Sequence, residues 1–191
     1  WLSQTKVRFK FLIETLGALP IVLPPTVLGF YLLIFLGPQG SVGKLVSYLG
    51  GPSLIFSFTG LVLGSKVNSM PYVIQPLQHA FSVIDKRADE TAATIGFSRL
   101  RRFFYLFLPL SKTGYLSAFV LGFAHTLGEF GIVLMIGGNI PGETQVASIS
   151  IYNYVEMLEY EKAHTLSLLL LLISFTLLAI IYSLRIRFGR Y

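Results

Sequence analysis

The sequence predicts an all-α, polytopic transmembrane domain, and three observations carry the prediction. Of 191 residues, 53% are hydrophobic and only 13% are charged, whereas an average soluble domain carries about 25% charged residues. Four apolar stretches, at residues 12–36, 53–73, 114–136 and 165–184, each hold the roughly 20 helical residues that cross a ~30 Å bilayer. Basic residues gather in alternate connections between these stretches, as in a chain that threads a membrane with its positive loops on one side. There are no cysteines, which excludes disulfides and thiol chemistry.

The elements follow in order. The chain opens on Trp1 rather than Met, and residues 1–4 are expected to be the inner end of an earlier span that lies outside the sequence. The first span, 12–36, contains Pro20, Pro24 and Pro25, so it should be kinked or start late; neighbouring helices can satisfy the carbonyls that proline frees. Residues 37–52 are glycine-rich and read as a simple loop. The second span, 53–73, should end near Pro71. The third covers 114–136. The connection 137–162 is longer, with a turn signal at Asn139-Ile140-Pro141-Gly142. Residues 144–154 are half polar and too short to cross, so they should form a short helix or re-entrant element lining a cavity. The fourth span, 165–184, is apolar all round and should face lipid over much of its surface. The whole chain, 1–191, reads as one transmembrane domain, with a polar cytoplasmic segment at 83–110 inside it.

Charge fixes the expected orientation. Lys6, Arg8 and Lys10 precede the first span. Lys86, Arg87, Arg99, Arg101, Arg102 and Lys112 separate the second from the third, and Arg185, Arg187 and Arg190 follow the fourth. These are twelve of the fifteen Lys and Arg residues. They place the N-terminal segment, residues 85–110 and the C-terminus in the cytoplasm. The net charge of +6 is therefore topological, and no nucleic-acid partner is expected, because no basic cluster sits on a soluble domain.

Residues 85–110 are the most informative interruption. Asp85 or Ser82 can cap a helix beginning near Lys86, and Gly96 can end it in the left-handed conformation. On that helix Ala88, Ala92 and Gly96 recur at spacing four and share a face, where small side chains admit another backbone. Asp89 and Glu90 lie beside the strip, able to make charged contacts. A second short helix from about Ser98 carries Arg99, Arg101 and Arg102, with an aromatic side directed at the membrane helices. Pro109 marks the turn into the next span. Composition alone would also fit an ordinary solvated loop.

Glu90-Thr91-Ala92, then Gly96, then Leu106-Phe107-Leu108-Pro109 resembles the signature of the membrane subunits of binding-protein-dependent ABC importers. Thr91 stands where Ala is usual and Leu106 where Ile is usual; both keep the size class. The resemblance implies that this helix docks in a cleft on a separate ATPase subunit. Glu90, Ala92 and Gly96 are the matching positions, and Ala88, Asp89 and Thr91 lie on the same short helix.

A second resemblance narrows the family. Leu19-Pro20, Leu23-Pro24-Pro25-Thr26-Val27 and Gly29, then Leu127-Gly128-Glu129-Phe130-Gly131, Gly138 through Gln145, and Ile151-Tyr152 are similar to molybdate permeases. Sulfate and tungstate permeases share parts of this pattern; the run Asn139-Ile140-Pro141-Gly142-Glu143-Thr144 favours molybdate. The likeness implies a multi-pass subunit of a bacterial or archaeal inner membrane importing molybdate, with sulfate or tungstate as the alternative cargo. It implies a homodimer enclosing the pathway, a dimer of ATPase subunits and an extracytoplasmic binding protein. No cofactor is expected. The chain has no phosphate-binding loop, Gly-x-Ser-x-Gly elbow or zinc-protease motif, so ATP must be hydrolysed by a partner.

An oxyanion pathway should offer hydroxyl, amide and backbone N–H donors. Thr26, Thr126, Asn139, Thr144, Ser148 and Ser150 are the candidates, although such residues also mediate helix contacts. Glu129 falls inside a span, where an ionisable group marks function. A carboxylate would repel an oxyanion, so Glu129 reads as a gate-positioning or structural residue. Lys66 is a doubtful partner: along its helix it lies ~18 Å from the outer end, against ~10 Å for Glu129, and it could snorkel toward the cytoplasm. His125, one turn before Glu129, is the better one. His79, His125 and His164 lack metal-ligand spacing. Two other classes compete: an intramembrane enzyme using His125 and Glu129, and a proton-driven secondary transporter working through Glu129. Neither needs the coupling signature, and the chain shows no inverted repeat.

Overall fold

A computed structural model describes residues 2, 5 and 7–188, with side chains to Ser183. Trp1, Ser3, Gln4, Lys6 and residues 189–191 lie outside the described residues. The expected inner end of an earlier span and the side chains of Arg185, Arg187 and Arg190 therefore lie outside the description.

The described chain is helical, with no strand among the described residues. The predicted first span, 12–36, is two helices, α1 (Lys10–Val22) and α2 (Pro25–Leu36), broken at Leu23–Pro24. Pro24 cannot donate to the α1 ladder, and Pro25 takes the first position of α2, where a missing N–H costs nothing. α1 lies along the Ser82 end of α4 (Phe58–Ser82), where Gln78 donates to Glu14. α2 packs on α9 (Gly131–Gly137), with Gly29 tight against Met135 and Ile132.

The glycine-rich stretch 37–52 is not the simple loop expected. It contains α3 (Ser41–Tyr48). A Cβ on Gly43 would lie 1.9 Å from the Gly37 carbonyl oxygen, so glycine here permits close backbone packing rather than looseness.

α4 also departs from expectation. It runs through Pro71 and Pro76 to Ser82, well beyond the predicted end near Pro71. The cost of the two missing N–H groups is offset by packing against α8 (Lys112–Leu127), its main neighbour. Gly114, Ala118 and Gly122 form a small-residue strip on α8, all three buried. A Cβ on Gly114 would meet the Ala80 Cβ at 2.3 Å, and one on Gly122 would meet Val73 Cγ2 at 2.8 Å. Small residues thus let two membrane helices approach closely.

The third predicted span, 114–136, is broken. α8 stops at Leu127, residues Gly128–Phe130 are non-helical, and α9 resumes at Gly131. α10 (Ala147–Glu156) is the expected short element, and α11 (Tyr160–Phe188) is the long apolar helix. Ile132, Ile136 and Ile149 are fully buried, and Leu61, Val133 and Ile149 form a core cluster where the Phe58 end of α4 meets α9 and α10.

By length and apolarity, two described stretches can cross a membrane, Pro25–Tyr48 and Tyr160–Ser183. A third is the pair Arg99–Leu110 and Lys112–Leu127, bent by 71°. α4 has 25 residues, about 37 Å of helix, but Ser65, Lys66, Asn68 and Ser69 make it too polar to pass on composition.

Candidate functional site

Two regions carry the candidate residues. The first is the helix after α4. α5 (Lys86–Thr94) is capped by Asp85, whose carboxylate accepts from the Arg87 N–H at 2.9 Å. It ends at Gly96, with φ +92°. The Phe97 N–H reaches the Ala92 carbonyl and the Gly96 N–H the Ala93 carbonyl, each at 3.0 Å, the paired bonds of a Schellman terminus. Glu90, Thr91 and Gly96 are exposed, and Ala88 and Ala92 half-buried. Asp89 is not free: it pairs with Arg102 of α6 (Arg99–Arg102) at 2.8 Å. That bond braces α5 against the next element. Ser98 caps α6 through the Arg101 N–H.

The chain then passes through a π-helical stretch, Phe103–Phe107, and α7 (Leu108–Leu110). The expected aromatic side is split. Phe107 packs edge-on to Phe81, but Phe104 and Tyr105 are exposed, and Arg101 lies over the Phe97 ring at 4.6 Å.

The second region is a polar cluster among the helices. Glu129 is 5% exposed and sits in the break between α8 and α9. Its carboxylate accepts from Ser65 Oγ at 2.6 Å and from Asn68 Nδ2 at 3.1 Å. Its main-chain carbonyl accepts from Ser148 Oγ of α10 at 2.7 Å. Asn68 Nδ2 also lies 3.0 Å from His125 Nε2, and the imidazole stacks on Tyr72 at 4.0 Å. With both Asn68 hydrogens donated, His125 accepts at Nε2 and carries its own hydrogen on Nδ1. His125 is thus joined to Glu129 through Asn68. Lys66 forms no ion pair with it.

Ser65, Asn68, Ser69 and Tyr72 are the residues that sequence reasoning missed. Their spacing of three, four and seven along α4 puts them on one face. A polar stripe inside a membrane-length helix was the available signal.

The predicted pathway residues are dispersed. Thr126, Glu129 and Ser148 line a groove of about 1070 Å³ that follows α4 from Phe58 to Leu77 and is flanked by α8. Thr126 donates to the Gly122 carbonyl at 2.9 Å and meets Ser69 Oγ at 2.8 Å. Thr144 is 1% exposed; it donates to the Gly137 carbonyl and accepts from the Ile140 N–H. Asn139, with φ +57°, begins that turn, and its Oδ1 is buried without a partner. Ser150 donates to the Val146 carbonyl. Thr26 is exposed at the start of α2. The 139–145 run therefore builds a turn closed by Thr144, with the Asn139 Oδ1 left unpartnered.

Comparison with known proteins gives a consistent picture. Residues 3–188 match the family described as binding-protein-dependent transport system inner membrane component. The chain is 49% identical over 185 residues to the molybdenum transport system permease protein ModB of Azotobacter vinelandii, covering 97% of this chain and 82% of that protein. It is 36% identical over 163 residues to the probable sulfate transport system permease protein cysT of Chlorella vulgaris, covering 85% and 61%. Its fold resembles a chain of a bacterial alginate ABC transporter crystallised with an alginate pentasaccharide-bound periplasmic protein. There the TM-score is 0.77 at 16% identity, over 99% of this chain and 69% of the other.

Proposed function

Because this chain belongs to the family of binding-protein-dependent transport system inner membrane components, a membrane permease rather than an enzyme, we propose that it is the translocating subunit of an ATP-driven molybdate importer. The observation that carries the cargo is the 49% identity to a molybdenum permease over nearly the whole chain, against 36% to a sulfate permease. Family membership implies a separate ATPase and a substrate-binding protein.

In this reading two copies enclose the pathway, with the groove between α4 and α8 facing the two-fold axis. α5 docks on the ATPase through Glu90, Thr91, Ala92 and Gly96, while the Asp89–Arg102 brace passes the motion into the bent approach to α8. ATP binding draws the two coupling helices together and opens the pathway outward; hydrolysis resets it. Thr26, Thr126, Glu129, Asn139, Thr144 and Ser148 act by shaping the pathway wall and its outer turn. The hydrogen-bond pattern supports that role over direct donation to the anion.

Vesicles reconstituted with the permease, its ATPase and its binding protein provide the test. ATP-dependent molybdate uptake, outcompeting sulfate, is expected. Sulfate uptake that molybdate does not inhibit overturns the cargo. Uptake without the ATPase overturns the coupling.

A further inference from the structure

We propose that Lys66 is the anion-binding residue of the translocation groove, and that it takes a tetrahedral dianion as one of a pair of ammonium groups, one from each copy. The inference rests on the importer reading above and names the recognition element within it.

Depth comes first. Lys66 stands eight residues into α4 and sixteen residues before its end at Ser82, or about 12 Å and 24 Å along the axis. Neither end is within easy reach of a lysine side chain, so the snorkelling expected from sequence does not deliver the ammonium to the cytoplasmic surface. A cation held at membrane depth is costly and points to function. Lys66 is exposed on this chain and lines the groove. It makes no ion pair among the described residues. The acid in the same wall, Glu129, is nine-tenths buried, with both carboxylate oxygens already bonded to Ser65 and Asn68.

The donor count decides the rest. Ser65 gives its hydrogen to Glu129, and Ser148 gives its own to the Glu129 carbonyl. Thr126 donates to the Gly122 carbonyl, so Ser69 must donate to Thr126. The hydroxyl hydrogens of Ser65, Ser69, Thr126 and Ser148 are therefore all donated within the protein. Much of the remaining lining is apolar, as at Leu61, Met70 and Phe119. The ammonium of Lys66 carries three hydrogens and a full charge in that setting. Low-dielectric walls strengthen its attraction for an anion. Two copies supply two ammonium groups for a dianion, while the Glu129 carboxylate in each wall is already occupied by Ser65 and Asn68.

The experiment compares Lys66→Gln and Lys66→Arg in the complete transporter, in phosphatidylcholine vesicles that contain no anionic headgroup. Wild-type uptake of molybdate is the control for the importer reading; if it is absent, that reading fails and not the assignment of Lys66. With wild-type uptake present, Lys66→Gln should lower uptake about ten- to hundred-fold, the scale of a lost charge-assisted bond. Its assembly and melting temperature should stay near wild type, and Lys66→Arg should retain most uptake. Uptake by Lys66→Gln within two-fold of wild type overturns the proposal. So does an equal loss in both variants, which would mark a packing role.

Discussion

Glu129 is held from two directions at once. Ser65 and Asn68 fix its carboxylate from α4, and Ser148 fixes its carbonyl from α10. A buried acceptor left short of a donor costs about 1–3 kcal/mol. Replacing Asn68 with Leu, close in shape but without hydrogens, should lower stability by about that amount, because Glu129 and His125 each lose their contact with it. Thermal unfolding of the detergent-solubilised protein would report it; an unchanged melting temperature would mean that the network contributes nothing. Asp89 also has a defined partner, Arg102. Arg102 has a buried Nε without a partner, so its bond to Asp89 is the main restraint on its position. Asp89→Ala should leave insertion intact and lower the uptake obtained per ATP hydrolysed. Little of this was legible at residue level. Hydropathy shows Glu129 as an anomaly, but its ligands lie some sixty residues away on α4, and only folding brings them together.

At the scale of elements, the glycines separate into two kinds. A Cβ on Gly60 would fall 1.8 Å from the Leu54 carbonyl oxygen, whereas one on Gly64 would meet the Ile136 Cδ1, a movable side-chain tip, at 2.5 Å. Gly60→Ala should therefore lose most folded protein, beyond the ~1–3 kcal/mol of ordinary overpacking, while Gly64→Ala should fall within that range; the yield of monodisperse protein separates them. Gly96 is different again, with open space around it but a left-handed backbone. Gly96→Arg should insert normally and abolish transport if α5 is the docking element. Composition located the helices well: α11 and the kink between α1 and α2 follow directly from apolar length and from Pro24 and Pro25. The breaks did not follow. Gly128 and Glu129 interrupt the apolar run, but a glycine and one charge do not by themselves end a membrane helix, so the stop at Leu127 was not predicted. Nor does a local rule carry α4 past two prolines, since its support comes from α8. Glycine content likewise misread α3, where it signals contact rather than freedom.

For the whole molecule, the question is which face meets a second copy. The groove wall carries Phe119 at 61% exposure, while Phe175 on α11 is 69% exposed. The chain has no cysteine, so single cysteines report cleanly. Phe119→Cys should yield a cross-linked dimer with a short bis-maleimide in membranes, and Phe175→Cys, on the helix expected to face lipid, should not. The reverse result would move the two-fold axis to α11. The family was legible from the motifs. The groove was not, because its two walls come from stretches that hydropathy treats as separate spans.

The ties that converge on Glu129 also bear on how such a protein can vary over time. Serine, asparagine and glutamate here are answers to one another: a chain that loses Asn68 keeps a buried acid one donor short, and one that loses Glu129 leaves Ser65 without its acceptor. Lineages should therefore cross from one solution to another by exchanging the whole set within few generations of change. Relatives lacking the acid should show apolar residues at the positions of Ser65 and Asn68, and a sequence with the acid alone should be rare.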